Sequence, residues 1–320
     1  MAEAPDDKYS IYDFSNGPTE RGLRLGHWNV QGLGLASNET KKLSYVECLI
    51  NWHCFHIFAL AETMLREGIR GTRTAIEGFG CERLDREMKC DGTREKASGG
   101  IMVYIHKGLK YEKIEGGEKD GNLQYMIVRV SKPVQVDIVV VYNPPNGSHV
   151  ERFASYLNFA IEKLHSEHPV VLLGDINIDQ LDLKNNKKYP QKHVAAIERA
   201  LTHLNLEQQV NHRITRMQSK AILDHIYMSP DLISECDVMR IHASDHDIVY
   251  CVLIGTEFEL DIKKRQDFYE KSLKGSDTKK KTDRDVRKLL YVAQRWAELT
   301  KRHAREIDEL SAELKAFSLR

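Results

Sequence analysis

Pro169-Val170-Val171-Leu172-Leu173-Gly174-Asp175-Ile176-Asn177 is a short apolar run closed by a glycine and two polar residues. A β-branched, fully apolar run bounded by Pro and Gly is too short for a core helix and reads as a buried strand. The glycine permits a tight turn. Asp175 and Asn177, two apart, share a side if the chain stays extended. A carboxylate placed there can hold or deprotonate a water, and an amide can donate to a phosphate oxygen. By itself the quartet Gly174-Asp175-Ile176-Asn177 also reads as an Asx turn at a strand end.

Working outward, other apolar runs end in the same manner. They close on Trp28-Asn29-Val30-Gln31-Gly32, Ala61-Glu62-Thr63, Tyr142-Asn143-Pro144-Pro145-Asn146, Leu223-Asp224-His225-Ile226 and Ser244-Asp245-His246-Asp247. Period-two or all-apolar stretches predict strands over 23–30, 57–61, 79–84, 100–106, 123–130, 134–142, 226–228, 238–241 and 248–254. Helical spacing predicts helices over 41–53, 150–164 and 194–204, and Thr63–Ile76 reads as a loop. Most strands follow one another directly and only a few are separated by helices. That pattern favours an α/β fold built as a four-layer α-β-β-α sandwich, two packed mixed sheets with outer helices, over a singly wound parallel sheet.

The 320 residues allow one large domain plus an appendage. The expected division is a polar arm at 1–20, a main domain at 21–260, a basic linker at 261–281 and an amphipathic helix at 282–320. The formal net charge is zero, but from Asp261 onward there are 17 Lys/Arg against 11 Asp/Glu, and before it 30 against 36. A net-negative body needs a local basic face or a bound cation to hold a polyanion. In the last segment Val286, Leu289, Ala293, Trp296, Thr300, His303, Ile307, Leu310, Leu314 and Phe317 recur at threes and fours. This is a heptad seam suited to self-association or a partner helix, or to lying on its own domain. No stretch approaches the ~18 apolar residues of a membrane span. The acidic, polar residues at 1–20 show no apolar h-region, so a secretory signal is not expected. Six scattered cysteines without CxxC pairs suit a reducing compartment. Trp52-His53-Cys54-Phe55-His56 reads as a helix end running into a buried strand rather than a zinc site.

Each polar motif has an ordinary reading as a strand end, cap or turn. Taken together and in order, they form a kit for attacking a phosphate ester beside a hard cation. Glu62 at the tip of a buried strand suits Mg²⁺. Asn29 could help a metal or the scissile phosphate, and Gln31 would share its face. Tyr142 could donate to a phosphate oxygen. Asp224, beside an apolar run, needs a partner; His246 is the natural one, with Asp fixing the imidazole tautomer. His225, the next residue, should point the other way.

The motif order from Leu23 to Leu253 resembles the endonuclease/exonuclease/phosphatase superfamily, the DNase I-like fold. Tyr142-Asn143-Pro144-Pro145-Asn146 is similar to the branch of apurinic/apyrimidinic and LINE-type retrotransposon endonucleases. Ala61-Glu62-Thr63, Gly99-Gly100-Ile101-Met102-Val103-Tyr104, Gly174-Asp175-Ile176-Asn177-Ile178-Asp179 and Leu223-Asp224-His225-Ile226 look more like the retrotransposon group. Ala221 stands where abasic-site repair enzymes carry a Trp, Gln31 where an acidic residue or Asn is common, and Ile176 where Phe is usual.

The resemblance implies Mg²⁺, with Mn²⁺ as an alternative, bound by Glu62 with Asn29 and Asp245 near it. It implies Asp175 as the water-activating group and His246, oriented by Asp224, as transition-state stabiliser or base. Asn29, Tyr142, Asn146 and Asn177 would hold the substrate. The implied activity is nicking of DNA to 3′-hydroxyl and 5′-phosphate ends, in an intracellular, nuclear setting. Two other readings stand beside it. One is a non-catalytic nucleic-acid-binding or assembly protein. The other is a phosphodiesterase or phosphatase acting on a small or lipid substrate.

Overall fold

A computed structural model describes residues 17–254, apart from 19–21, 35–40, 67, 86–88, 91–94, 97–98, 121, 165–167 and 186–187. The linker and helix expected beyond Asp261, and nearly all of the arm expected at 1–20, lie outside the described residues. The elements run β1 (Leu23–Asn29), α1 (Lys41–Trp52), β2 (Ile57–Ala61), β3 (Phe79–Leu84), β4 (Lys89–Cys90), β5 (Glu95–Lys96), β6 (Ile101–His106), β7 (Lys110–Lys119), β8 (Leu123–Lys132), β9 (Val136–Tyr142), α2 (His149–Lys163), β10 (Val170–Asp175), α3 (Gln180–Asn185), α4 (Gln191–His203), β11 (Glu207–Gln208), β12 (Asp224–Met228), β13 (Ser234–Met239) and β14 (Ile248–Leu253). No helix among them is long and apolar enough to cross a membrane.

Two six-stranded mixed sheets form, in the orders β13-β14-β1-β2-β6-β3 and β11-β12-β10-β9-β8-β7. Period-two alternation sends each inner strand's side chains to two different cores. In β2, Ile57, Ala59 and Ala61 enter the layer between the sheets, while Phe58 and Leu60 face α1. In β10, Val171 and Leu173 enter the middle layer, while Val170 and Leu172 pack under α2 and α4. Three apolar cores separating four layers make the expected α-β-β-α sandwich. Burying such side chains on both sheet faces contributes on the order of 1.5–3 kcal/mol each, which explains why β2 is apolar throughout and β10 stays apolar up to its closing Gly174-Asp175.

The structure adds elements that the pattern does not announce. β7 is ten residues of mixed charge with two register shifts in its pairing to β8. A charged, irregular strand suits a sheet edge, where it discourages pairing with other chains. The short α3 and the two-residue β11 are also additions.

Candidate active site

The middle layer turns polar at one end because the inward register of several strands ends there on a functional residue. In β10 the inward series Val171, Leu173 continues to Asp175; in β9, Ile138 and Val140 continue to Tyr142. Strand pairing sets Asp175 opposite Tyr142 on one side and opposite Asp224 on the other. Across the layer, Asn29 of β1 pairs with Ala61 of β2, so Asn29 and Glu62 arrive at the facing edge. Gly174 lets β9 come close, since a Cβ there would run into the Val141 carbonyl oxygen.

Hydrogen bonds at this edge then join the two sheets. Asn29 Nδ2 donates to Asp175 Oδ2 at 2.8 Å and to Glu62 Oε1 at 2.9 Å. The Tyr142 hydroxyl donates to the same Glu62 oxygen at 3.0 Å. His246 Nδ1 lies 2.8 Å from Asp224 Oδ2. The loop that carries His246 is fixed to β1: Trp28 Nε1 donates to the His246 carbonyl at 3.0 Å, and Ser244 Oγ to the Asn29 carbonyl at 2.8 Å. Asp224 receives support from behind, where Thr215 Oγ1 accepts from the backbone N–H groups of Leu223 and Asp224.

The electrostatics follow from this burial. Asp175 is fully buried, which raises its pKa to about 7; the neighbouring imidazole works against that rise. Burial disfavours the His246 cation, but Asp224, Asp175 and Asp245 together outweigh it and raise its pKa to about 10. Burial likewise opposes charge on Asp224, yet His246 and the other donors hold its pKa below the ordinary value. His27, also fully buried, is pushed down to about 4 by loss of solvent. At neutral pH the pocket therefore holds an imidazolium paired with Asp224 beside a carboxyl group poised to gain or lose a proton.

Of the residues expected from sequence, Asn29, Glu62, Tyr142, Asp175, Asp224 and His246 meet in this network. Asp245 adjoins it, with Oδ1 at 3.9 Å from His246 Nε2 and Oδ2 held by Arg216 through Nε and Nη2, each at 2.8 Å. Asn177 reaches the site through the Asx turn that the quartet also allowed, not through an extended chain. Its φ is +54°, and its N–H donates to Asp175 Oδ1 at 3.1 Å. The segment curls because one carboxylate oxygen captures the N–H two residues on, an Asx turn. The Asn177 Nδ2 is left buried with no partner among the described residues. Gln31 does not share a face with Asn29. It lies past the strand at φ +50°, its N–H bound to Asn29 Oδ1. Glu62 is left-handed too, at φ +51°; such conformations cost about 1–3 kcal/mol each and cluster at functional sites.

Asn146 is not brought into the network. It is exposed, and its Oδ1 accepts from Arg152 at 2.6 Å. Arg152 also donates to Asn143 Oδ1 and to the Pro144 carbonyl, so it holds the turn after Tyr142 from behind. His225 points away as expected, within reach of the Tyr227 hydroxyl and the Ile222 carbonyl. His27, Arg152, Thr215 and Arg216 were not anticipated. Only His27 carried a signal, as a polar residue at an inward position of β1 two before Asn29.

Residues 136–250 match a family model described as endonuclease-reverse transcriptase. No curated protein sequence matches the chain. An AP endonuclease from Archaeoglobus fulgidus aligns with a TM-score of 0.52 at 14% identity, covering 72% of this chain and 99% of that one. Truncated Caenorhabditis elegans TDP2 aligns with a TM-score of 0.51 at 13% identity, over 72% of this chain and 96% of that one. An endonuclease/exonuclease/phosphatase family protein from Leptotrichia buccalis gives 0.51 at 14% identity, over 72% and 99%. The chain has the DNase I-like fold of the endonuclease/exonuclease/phosphatase superfamily, whose members are hydrolytic nucleases and phosphatases.

Proposed function

We propose that this chain is a divalent-metal-dependent endonuclease that nicks DNA, leaving 3′-hydroxyl and 5′-phosphate ends. The observation that carries the reading is Asn29 Nδ2 bridging Glu62 and Asp175 across the sheets, beside the His246–Asp224 pair. A pure binding surface for phosphate has no use for that many carboxylates, which repel it. The tyrosine at position 142 and the family match favour a nucleic-acid substrate over a small phosphate monoester or a lipid.

The donor set fits a hard cation. Glu62, Asp175 and Asp245 offer carboxylate oxygens, and Asp245 Oδ1 is buried with no hydrogen-bond partner among the described residues. Asp175, Asp224 and His246 also come within 4.8 Å of one another. There, however, the short His246–Asp224 bond already fills the gap, so that trio handles protons rather than metal. Glu62, Asp245 and the Asn29 amide oxygen would hold Mg²⁺ or Mn²⁺, which when bound neutralises charge on the phosphate.

The chain's own groups do the rest. Asp175 takes a proton from the attacking water, whose oxygen bonds to phosphorus. The phosphorus–O3′ bond breaks, and the 3′ oxygen recovers a proton from solvent. Asn177 Nδ2 and the Tyr142 hydroxyl donate to phosphate oxygens. The His246 imidazolium, held by Asp224, stabilises the charge that develops. On this reading the catalytic body spans 21–260, 261–281 is a linker, 282–320 is an association helix, and the enzyme works inside the cell, in the nucleus.

Two measurements test it. Purified chain should nick supercoiled plasmid in Mg²⁺, stop on addition of EDTA, and resume when Mg²⁺ is restored. Nicking that persists in EDTA removes the metal from the reading. The rate should rise as pH passes about 7, where Asp175 loses its proton, and fall as pH nears about 10, where His246 loses its own. A rate still climbing beyond pH 10 would exclude the imidazolium role.

A further inference from the structure

Among the described residues of the middle layer, His27 is a side chain that neither packing nor the proposed chemistry accounts for. It occupies the inward series Leu23, Leu25, His27, Asn29 on β1, where apolar residues fill the preceding positions. It is wholly inaccessible to solvent. Neither ring nitrogen has a hydrogen-bond partner among the described residues. A buried polar group without a partner loses its hydration and gains nothing in return, so a leucine would serve the core better. Its Nδ1 stands 3.5 Å from Asp224 Oδ1, and that oxygen is itself buried without a hydrogen-bond partner among the described residues. The other oxygen of the same carboxylate holds His246.

We propose that His27 is a positioning residue, which donates from Nδ1 to Asp224 Oδ1 and so clamps that carboxylate between two imidazoles. The inference rests on the nuclease reading for its kinetic consequence, though not for its geometry. A neutral imidazole carries one N–H, and closing the 3.5 Å gap by about half an ångström gives an ordinary hydrogen bond. With Oδ1 anchored, Asp224 cannot swing away from His246. The His246 ring then stays aimed at the phosphate through the reaction. Thr215 braces the Asp224 backbone, and His27 would do the same for the carboxylate.

The test compares full-length wild type with His27→Leu, which removes the donor at similar volume, and His27→Asn, which keeps an N–H. In His27→Leu, kcat for plasmid nicking should fall roughly tenfold or more, the size such supporting partners carry. KM should stay unchanged, and the melting temperature should hold or rise. In NMR spectra the His246 Nδ1 proton should exchange faster with solvent than in wild type. His27→Asn should recover most of both losses. If His27→Leu does not fold, His27→Ala takes its place in the same comparison. An unchanged kcat together with an unchanged His246 proton would overturn the proposal and leave His27 as core filling. If wild type does not nick at all, the nuclease reading fails, and the exchange of the His246 proton still decides the role of His27.

Discussion

Asp175→Asn should slow plasmid nicking by about 10²–10⁴-fold, the contribution of a positioned proton acceptor, without unfolding the protein. Asparagine has the size of aspartate and can still accept the Asn177 N–H, but it cannot take a proton from water. The effect on stability should have the opposite sign. Asp175 titrates at about 7 in the fold against 3.8 for the ordinary carboxyl, because burial penalises its charge. A carboxyl with a raised pKa favours folding below its unfolded value and loses that advantage as pH rises through the folded one. Above neutrality the charged group therefore weighs against the fold, and the neutral amide removes that burden. Thermal melts at pH 8 should show Asp175→Asn at or above the wild-type midpoint while the gel assay shows almost no nicked plasmid. Wild-type nicking by this variant would sink the assignment of Asp175.

The second large effect concerns the backbone. Gly174→Ala should lower stability by about 3 kcal/mol or more, which is roughly 6–12 °C in melting midpoint for a domain of this size. The added methyl would overlap the Val141 carbonyl oxygen and its neighbouring backbone atoms. Neither side can yield. Gly174 pairs with Val141 of β9 and with His225 of β12, and β9 is itself paired to β8 on its far side. Any relief must push β10 and Asp175 with it, so the variant that folds should also be a poor enzyme. A circular dichroism melt within 2 °C of wild type, allowing roughly half a kcal/mol, would show that the strands can separate more easily than this packing implies.

Much of this architecture was legible because burial on both sheet faces leaves a sharp imprint on composition. Val136–Tyr142 and Val170–Asp175 could hardly be anything but inner strands, and their terminal polar residues stood out against the apolar background. β7 left no such imprint: an edge strand is solvated, and Lys110–Lys119 carries charge on both faces. The site was legible in its members more than in its joints. Asn177 read either as extended or as part of an Asx turn, and its N–H is captured by Asp175, a choice between two local hydrogen-bonding patterns that spacing does not decide. Arg152 and Arg216 act through contacts distant in sequence, Arg152 on the turn after Tyr142 and Arg216 on Asp245. A lone arginine in a helix or loop gives no hint of such a partner.

The Tyr142–Glu62, Asn29–Asp175 and His246–Asp224 bonds each have one end in either sheet. The reactive centre is thus a seam rather than a cleft cut into one wall. Prising the two walls apart at that rim by even an ångström would break all three stitches together. Competence should then vanish in a single step on gentle heating or pressure, while the apolar interior deeper in the molecule still holds.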